Sequence, residues 1–222
     1  MSVPASRAHA SPVSHPAAAE PIVVKLGGSV IRSDALVPWL DAIAAVTRPI
    51  VIVPGGGALA DEVRACQSQL GFGDRAAHRM ALLAMDQLAW AVAGLRPGFA
   101  VGTTEAELRA VLGRGEVAVW APCDLVAERS DLEASWRLTS DSLALWLAAR
   151  LGAPRCYLIK SIERRAAQMS AGQLARDGVV DAAFPDMLRE SGVSAILLGR
   201  GDQQSFAACL TGQAERCGAA IE

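Results

Sequence analysis

The sequence predicts an α/β protein: a three-layer αβα sandwich in which helices cover both faces of a mainly parallel sheet. Three observations lead there. Short apolar runs of four or five residues alternate with longer segments of helical periodicity. The short runs are apolar throughout instead of alternating with polar residues, as in strands buried on both faces. Glycine, serine or lysine follows several of them, and ligands in such sheets sit beyond the carboxyl ends of the strands.

Ile22–Leu26 reads as the first strand and runs into Gly27-Gly28-Ser29. Asp34–Val46 places Leu36, Val37, Leu40, Ile43 and Ala44 at helical spacing. Pro49–Val53 is a second strand, ending at Pro54-Gly55-Gly56-Gly57. Ala58–Leu70 resumes a helix, and Arg75–Leu95 is a long apolar helix stopped by Arg96-Pro97-Gly98. Thr103 and Thr104, with Glu close behind, cap a helix over Glu105–Leu112. Val117–Trp120 is a third strand, closed by Ala121-Pro122. Leu138-Thr139-Ser140-Asp141-Ser142 opens a helix that runs through Leu151, with Ser or Thr as its cap. Cys156–Ile159 and Ala195–Leu198 complete the central strands, with a helix at Phe184–Ser191 between them. Residues 1–20, rich in Ala, Ser, Pro and His, read as a disordered tail, and residues 21–222 as the folded unit.

A chain of 222 residues buries a sizeable core. Its net charge of −2 carries no bulk-charge signature of a nucleic-acid partner. Five cysteines without CxxC spacing, and only three histidines, predict neither a zinc site nor a disulfide framework. The cysteines read as small buried hydrophobes in a reducing cytoplasm. No stretch approaches the roughly 20 uninterrupted apolar residues of a membrane span, and the tail lacks a signal-peptide core, so a cytoplasmic protein is expected. Arg75–Leu95 carries more apolar positions than one buried face requires, which predicts a homo-oligomer.

Lysine is scarce: two, Lys25 and Lys160, against nineteen arginines. Both end strand-like runs, in Lys25-Leu26-Gly27-Gly28-Ser29 and in Tyr157-Leu158-Ile159-Lys160-Ser161. A compact ammonium with rotatable donors suits a phosphoryl group that moves. The first loop has neither Walker A nor GxGxxG spacing. Its glycines let backbone amides approach a phosphate, although a tight strand-to-helix turn explains them equally well. Gly55-Gly56-Gly57 repeats the design one strand later, and adjacent parallel strands would set the two loops side by side. Asp141 reads as part of a helix cap, as the anchor of a lysine ammonium, or as an acceptor for a metal-bound water. Gly199-Arg200-Gly201-Asp202 reads equally as a nucleotide-pocket wall or a surface turn. His78, with no second histidine near, reads as a packed or solvent-facing residue. Asp86, in the same apolar helix, needs a partner or a solvent-facing position. Trp39, Trp90, Trp120, Trp136 and Trp146 read as core or interface anchors.

In these motifs and their order the chain resembles the amino acid kinase family, within it a small branch typified by the aminomethylfuran phosphate kinase of methanofuran biosynthesis. The resemblance implies an ATP- and Mg²⁺-dependent transfer of the γ-phosphoryl group to a small phosphate or carboxylate acceptor, foremost a furan methyl phosphate. It implies catalytic roles for Lys25, Asp141 and Lys160, with Asp141 organising the lysines. It assigns Gly28, Ser29, Gly55, Gly56 and Gly57 to the acceptor. Gly27, Thr139, Ser140, Lys160, Ser161, Gly199 and Gly201 go to the nucleotide, and no residue to a protein-bound metal. The acceptor half then covers about 21–135 and the nucleotide half about 136–222. One departure stands out: residues 178–185, where relatives carry a second functional lysine, have none. Lys160 then takes over that role, or the protein is a non-catalytic, regulatory or oxoanion-storing member of the fold. A third reading, an acyl-phosphate-forming kinase, would use Arg75 and Arg79 as a carboxylate clamp.

Overall fold

The computed structural model describes residues 19–163 and 166–222. The expected disordered tail, up to residue 18, lies outside the described residues. In chain order the elements are β1 (Ile22–Leu26), α1 (Gly28–Ile31), α2 (Leu36–Ala44), β2 (Ile50–Pro54), α3 (Gly57–Leu70) and α4 (Asp74–Gly94). Then come β3 (Phe99–Gly102), α5 (Glu105–Gly113), β4 (Val117–Trp120), α6 (Cys123–Val126), α7 (Ser140–Leu151) and β5 (Arg155–Ile159). The chain ends with β6 (Gln168–Met169), α8 (Ala171–Arg176), α9 (Phe184–Ser191), β7 (Ser194–Leu198), α10 (Gln203–Leu210) and β8 (Ala219–Ile221).

One eight-stranded sheet runs through the described residues in the order β3-β4-β2-β1-β5-β7-β8-β6, parallel except where β8 lies antiparallel to β7. Strand parity builds the three layers, because successive side chains point to opposite faces. Ile22, Val24 and Leu26 of β1 join one core with Trp39 and Leu40 of α2 and Phe206 of α10. Val23 points the other way, into a second core with Leu143, Ala144 and Leu147 of α7. Trp39 and Tyr157 both meet Phe206 edge-on, at 5.9 and 5.3 Å between ring centroids. Of the tryptophans expected as anchors, Trp39 and Trp120 are fully buried, whereas Trp90 is 66% exposed.

The elements expected from periodicity recur within two or three residues of their predicted ends. Three strands were not expected: Phe99–Gly102, Gln168–Met169 and Ala219–Ile221. Each is two to four residues long and lies in the outer part of the sheet, too short to display a period. Thr104 caps α5 as expected, with Glu107 completing the reciprocal pair of bonds. No described helix is long and apolar enough to cross a membrane.

Because β1 and β2 pair in parallel register, Lys25 opposite Val53, the loops that follow them meet. A Cβ on Gly28 would stand 2.6 Å from Gly57 Cα, so the two glycine loops interlock backbone to backbone. Gly28→Ala should therefore destabilise the protein by about 1–3 kcal/mol through overpacking. Gly172→Ala, in α8 with only ordinary contacts at 3.6 Å, should stabilise it by about 0.5–1 kcal/mol. Urea unfolding of both variants checks the contrast.

Candidate active site

Parity also aims the two lysines. Lys25 shares the face of Val23, and Lys160, one residue past β5, continues the alternation of Cys156 and Leu158 on that same face. The backbone N–H of Lys160 donates to Leu198 O at 2.9 Å, which carries the ladder past the strand end. The N-terminus of α7 lies over this edge and brings Asp141 between the lysines. Lys25 Nζ stands 2.7 Å from Asp141 Oδ1, an ion pair set off the line of a hydrogen bond. Lys160 Nζ donates to Asp141 Oδ2 at 2.8 Å. Lys25 and Asp141 are 3% and 4% exposed.

Among the described residues, Asp141 is the one carboxylate in contact with either lysine. Burial by itself would push Asp141 up, but Lys160 and Lys25 outweigh it and hold the carboxyl down at about 2. Burial pulls the Lys160 ammonium down to about 8; Asp141 opposes this and Lys25 adds to it. One carboxylate facing two cations, Lys25 buried and Lys160 half-buried, leaves a net positive charge at the sheet edge. The aspartate sits in the first turn of α7, where the helix dipole also favours a negative charge.

Behind Asp141, Asp181 fixes the start of α7. Its Oδ2 accepts from the backbone N–H and hydroxyl of Thr139, both at 2.9 Å, and from Ser142 N–H at 3.0 Å. Its Oδ1 accepts a short bond from Ser142 Oγ. Burial, then the neighbouring Asp141 charge, raises the Asp181 pKa. Thr139 is the N-cap residue of α7, yet its side chain does not cap; Asp181 supplies that acceptor from 42 residues away. Sequence reading missed it for that reason.

Two cavities flank this edge. One, of about 290 Å³, is lined by Gly28, Ser29, Gly55, Gly56 and Gly57, and also by Thr139 and Ser140. The second, of about 350 Å³, holds Lys160 and Ser161 beside Val30, Trp39 and Arg200. The structure thus divides the residues assigned to the nucleotide, with Thr139 and Ser140 on the wall of the glycine-loop cavity. Gly27 lies between the cavities, its N–H donating to Ile159 O at 2.9 Å, with the Lys160 Cδ 3.6 Å from where its Cβ would be. Gly199 donates to Asp202 Oδ2 at 2.9 Å, and Arg200, between the two assigned glycines, is the side chain that reaches the second cavity.

The residues expected to be bland are not all bland. His78 is buried on the wall of the first cavity, near Arg64 and Trp136. Asp86 has its partner: Oδ1 accepts from Cys123 N–H at 3.0 Å, at the start of α6. Arg75 and Arg79 both pair with Glu128, at 3.0 and 2.5 Å, on the outer surface, and line neither cavity. The carboxylate clamp considered from sequence is therefore not formed there. Of the five free cysteines, Cys123 and Cys156 are buried as expected, whereas Cys66, Cys209 and Cys217 are half-buried.

The amino acid kinase family pattern matches residues 20–164, well over half of the chain. The chain belongs to the amino acid kinase family. It is 28% identical over 189 residues to the [5-(aminomethyl)furan-3-yl]methyl phosphate kinase of Methanocaldococcus jannaschii, covering 79% of this chain and 86% of that protein. The crystal structure of uridylate kinase from Archaeoglobus fulgidus superposes with a TM-score of 0.68 at 18% identity, over 90% of this chain and 99% of that one. Aspartate kinase from Synechocystis superposes at 0.65 with 17% identity, over 90% of this chain and 39% of that longer one. These two likenesses establish the three-layer fold of the amino acid kinases. Within it, Lys25 and Lys160 straddle the point at which the chain leaves β1 for one half of the sheet and β5 for the other.

The depressed Lys160 pKa has a consequence for stability. Its folded value of about 8 lies below the ordinary 10.5, so the folded state releases this proton first. Its contribution to stability therefore rises between pH 8 and 10.5. The difference in urea-unfolding free energy between the wild type and Lys160→Met should shift across that window in favour of the wild type. A difference independent of pH would show that Lys160 is not desolvated.

Proposed function

We propose that this protein is an ATP-dependent kinase of a small phosphate monoester and forms a diphosphate. One observation carries the reading: a buried and a half-buried ammonium group sharing one carboxylate, set between two cavities at the switch point of the sheet. Such a cluster holds spare positive charge for an anion. Each ammonium has three N–H donors and gives at most one to Asp141, leaving two for phosphoryl oxygens.

In the proposed reaction the acceptor lies in the glycine-loop cavity and ATP approaches from the Lys160 side. An oxygen of the acceptor phosphate bonds to the γ-phosphorus. The bond from that phosphorus to the β,γ-bridging oxygen breaks, and ADP leaves with the electron pair. A phosphate acceptor is already ionised near neutrality, so the site needs no general base. Lys25 and Lys160 face the charge that spreads over the transferring oxygens. Mg²⁺ bound with the nucleotide would neutralise phosphate charge. No three His, Cys, Asp or Glu side chains converge among the described residues, and both Asp141 oxygens face lysines, so the ion fits here as a companion of the phosphates. The name of the 28%-identical relative supports a furan methyl phosphate as the acceptor.

Lys25→Ala should lower kcat by about 10²–10³-fold, measured by ADP release, with the circular dichroism spectrum unchanged. The kcat/KM for ATP should fall as the pH rises through about 8, where Lys160 loses its proton in the free protein. The same limb in kcat should lie higher, because bound phosphates favour the charged ammonium. Calorimetric binding of ATP–Mg²⁺ without turnover of any phosphorylated furan would instead identify an anion-holding, non-catalytic member. Absence of ATP binding would remove the kinase reading.

A further inference from the structure

The glycine-loop cavity has one wall that phosphate chemistry does not explain. On α4, His78, Ala81, Leu82 and Met85 follow one another at helical spacing and all line it. Three of the four are apolar. His78 is 8% exposed, and among the described residues it makes no hydrogen bond and no ion pair. Its nitrogens are not among the fully enclosed polar atoms, so they remain open to a partner that enters the cavity. The imidazole lines the cavity.

Trp136 lines the same cavity. It is pinned: its Nε1–H donates to Gln67 Oε1 at 2.6 Å, and the Arg64 guanidinium lies 4.1 Å from its ring centroid. The cavity therefore has a polar end at the glycine loops, an apolar body beside a fixed aromatic ring, a charged rim of Arg32 and the Asp61–Arg64 pair (2.9 Å), and one unpaired imidazole. Burial lowers the His78 pKa below its ordinary value, so near neutrality the ring is uncharged and keeps a lone pair to accept with. A neutral imidazole offers one lone pair to a hydrogen-bond donor and keeps one N–H of its own.

We infer that His78 is a specificity-determining residue that accepts a hydrogen bond from an amino group on a planar, ring-containing phosphate monoester. The ring lies between Trp136 and the aliphatic stripe of α4, and the phosphate lies at the glycine loops. This rests on the acceptor side of the function proposed above and narrows it to an amine-bearing ring phosphate, the chemistry in the name of the 28%-identical relative. The amine is bound and not consumed, so it takes no part in the bond changes.

The test uses the full chain with two acceptors, [5-(aminomethyl)furan-3-yl]methyl phosphate and the analogue with methyl in place of aminomethyl. In the wild type, kcat/KM should favour the amine by about 10- to 100-fold, mainly through KM, as expected for one hydrogen bond to a charged group. In His78→Leu the ratio should fall to near one, and His78→Asn, which restores an acceptor, should recover part of it. Equal ratios in wild type and His78→Leu would overturn the inference. Urea midpoints for both variants identify any loss that is only structural. If the wild type turns over neither acceptor, the kinase reading fails by itself. Calorimetric titration of the same two compounds into wild type and His78→Leu then decides the role of His78. Preference for the amine that is lost in the variant supports it, and no preference, or no binding, overturns it.

Discussion

Asp141 stands between the ammonium groups of Lys25 and Lys160, at 2.7 and 2.8 Å, where water barely reaches. Taking an ion out of water costs several kcal/mol, and a partner recovers that cost only with good geometry and complementary charge. Here the charges do not balance. The carboxyl is held at about 2 while Lys160 is pulled to about 8, so the strain of the cluster falls on Lys160. An arriving anion relieves that strain, which makes the cluster a better site for phosphate than a device for stability.

Everything near the cluster serves its placement. The alternation of side chains along β1 and β5 sends both lysines to the face covered by α7, and the parallel register sets Lys25 beside Leu158, with Lys160 two residues further along the same face. Asp181 takes four bonds from Thr139 and Ser142, and so holds the first turn of α7, and Asp141 with it, against that face. On the far side of β1, the contact of Gly28 with Gly57 closes the backbone so tightly that the loops present amides where side chains would otherwise stand. Two short loops and one helix terminus thus converge on a region a few ångströms across, between a cavity on the glycine side and one on the Lys160 side.

Much of this was legible in the sequence because it is local. A buried strand announces itself by an unbroken apolar run, a loop by its glycines, and a lysine in an arginine-rich chain by its rarity. The side-by-side loops followed from expecting consecutive strands to be neighbours. What stayed hidden is what connects distant segments. Asp181 reaches α7 across 42 residues, from the segment that lacks the family's second lysine, and nothing nearby marks its carboxylate as a cap. His78 looked like an isolated polar residue because the spacing that joins it to Ala81, Leu82 and Met85 looks the same facing a cavity as facing a core. The short strands near the sheet edges, Phe99–Gly102 and Ala219–Ile221, fold through pairing with neighbours and show no periodicity of their own.

The composition that drew attention to the lysines also bears on why arginine does not replace them. Arginine is abundant in the chain and binds phosphate well through its planar fork, but the fork needs a matching pair of oxygens held in its plane. The space around Asp141 offers one oxygen to each cation, on opposite sides of the carboxylate. A guanidinium in either place would leave several N–H groups without acceptors in a buried region, each a desolvation cost. An ammonium is smaller, turns its three donors freely and can swing from Asp141 toward a phosphoryl oxygen without breaking a planar pairing. A guanidinium would also stay charged at every accessible pH, whereas the burial that draws Lys160 to about 8 couples its charge to the presence of an anion. The geometry of one carboxylate between two strand ends thus selects lysine at both positions, against the bias of the rest of the chain.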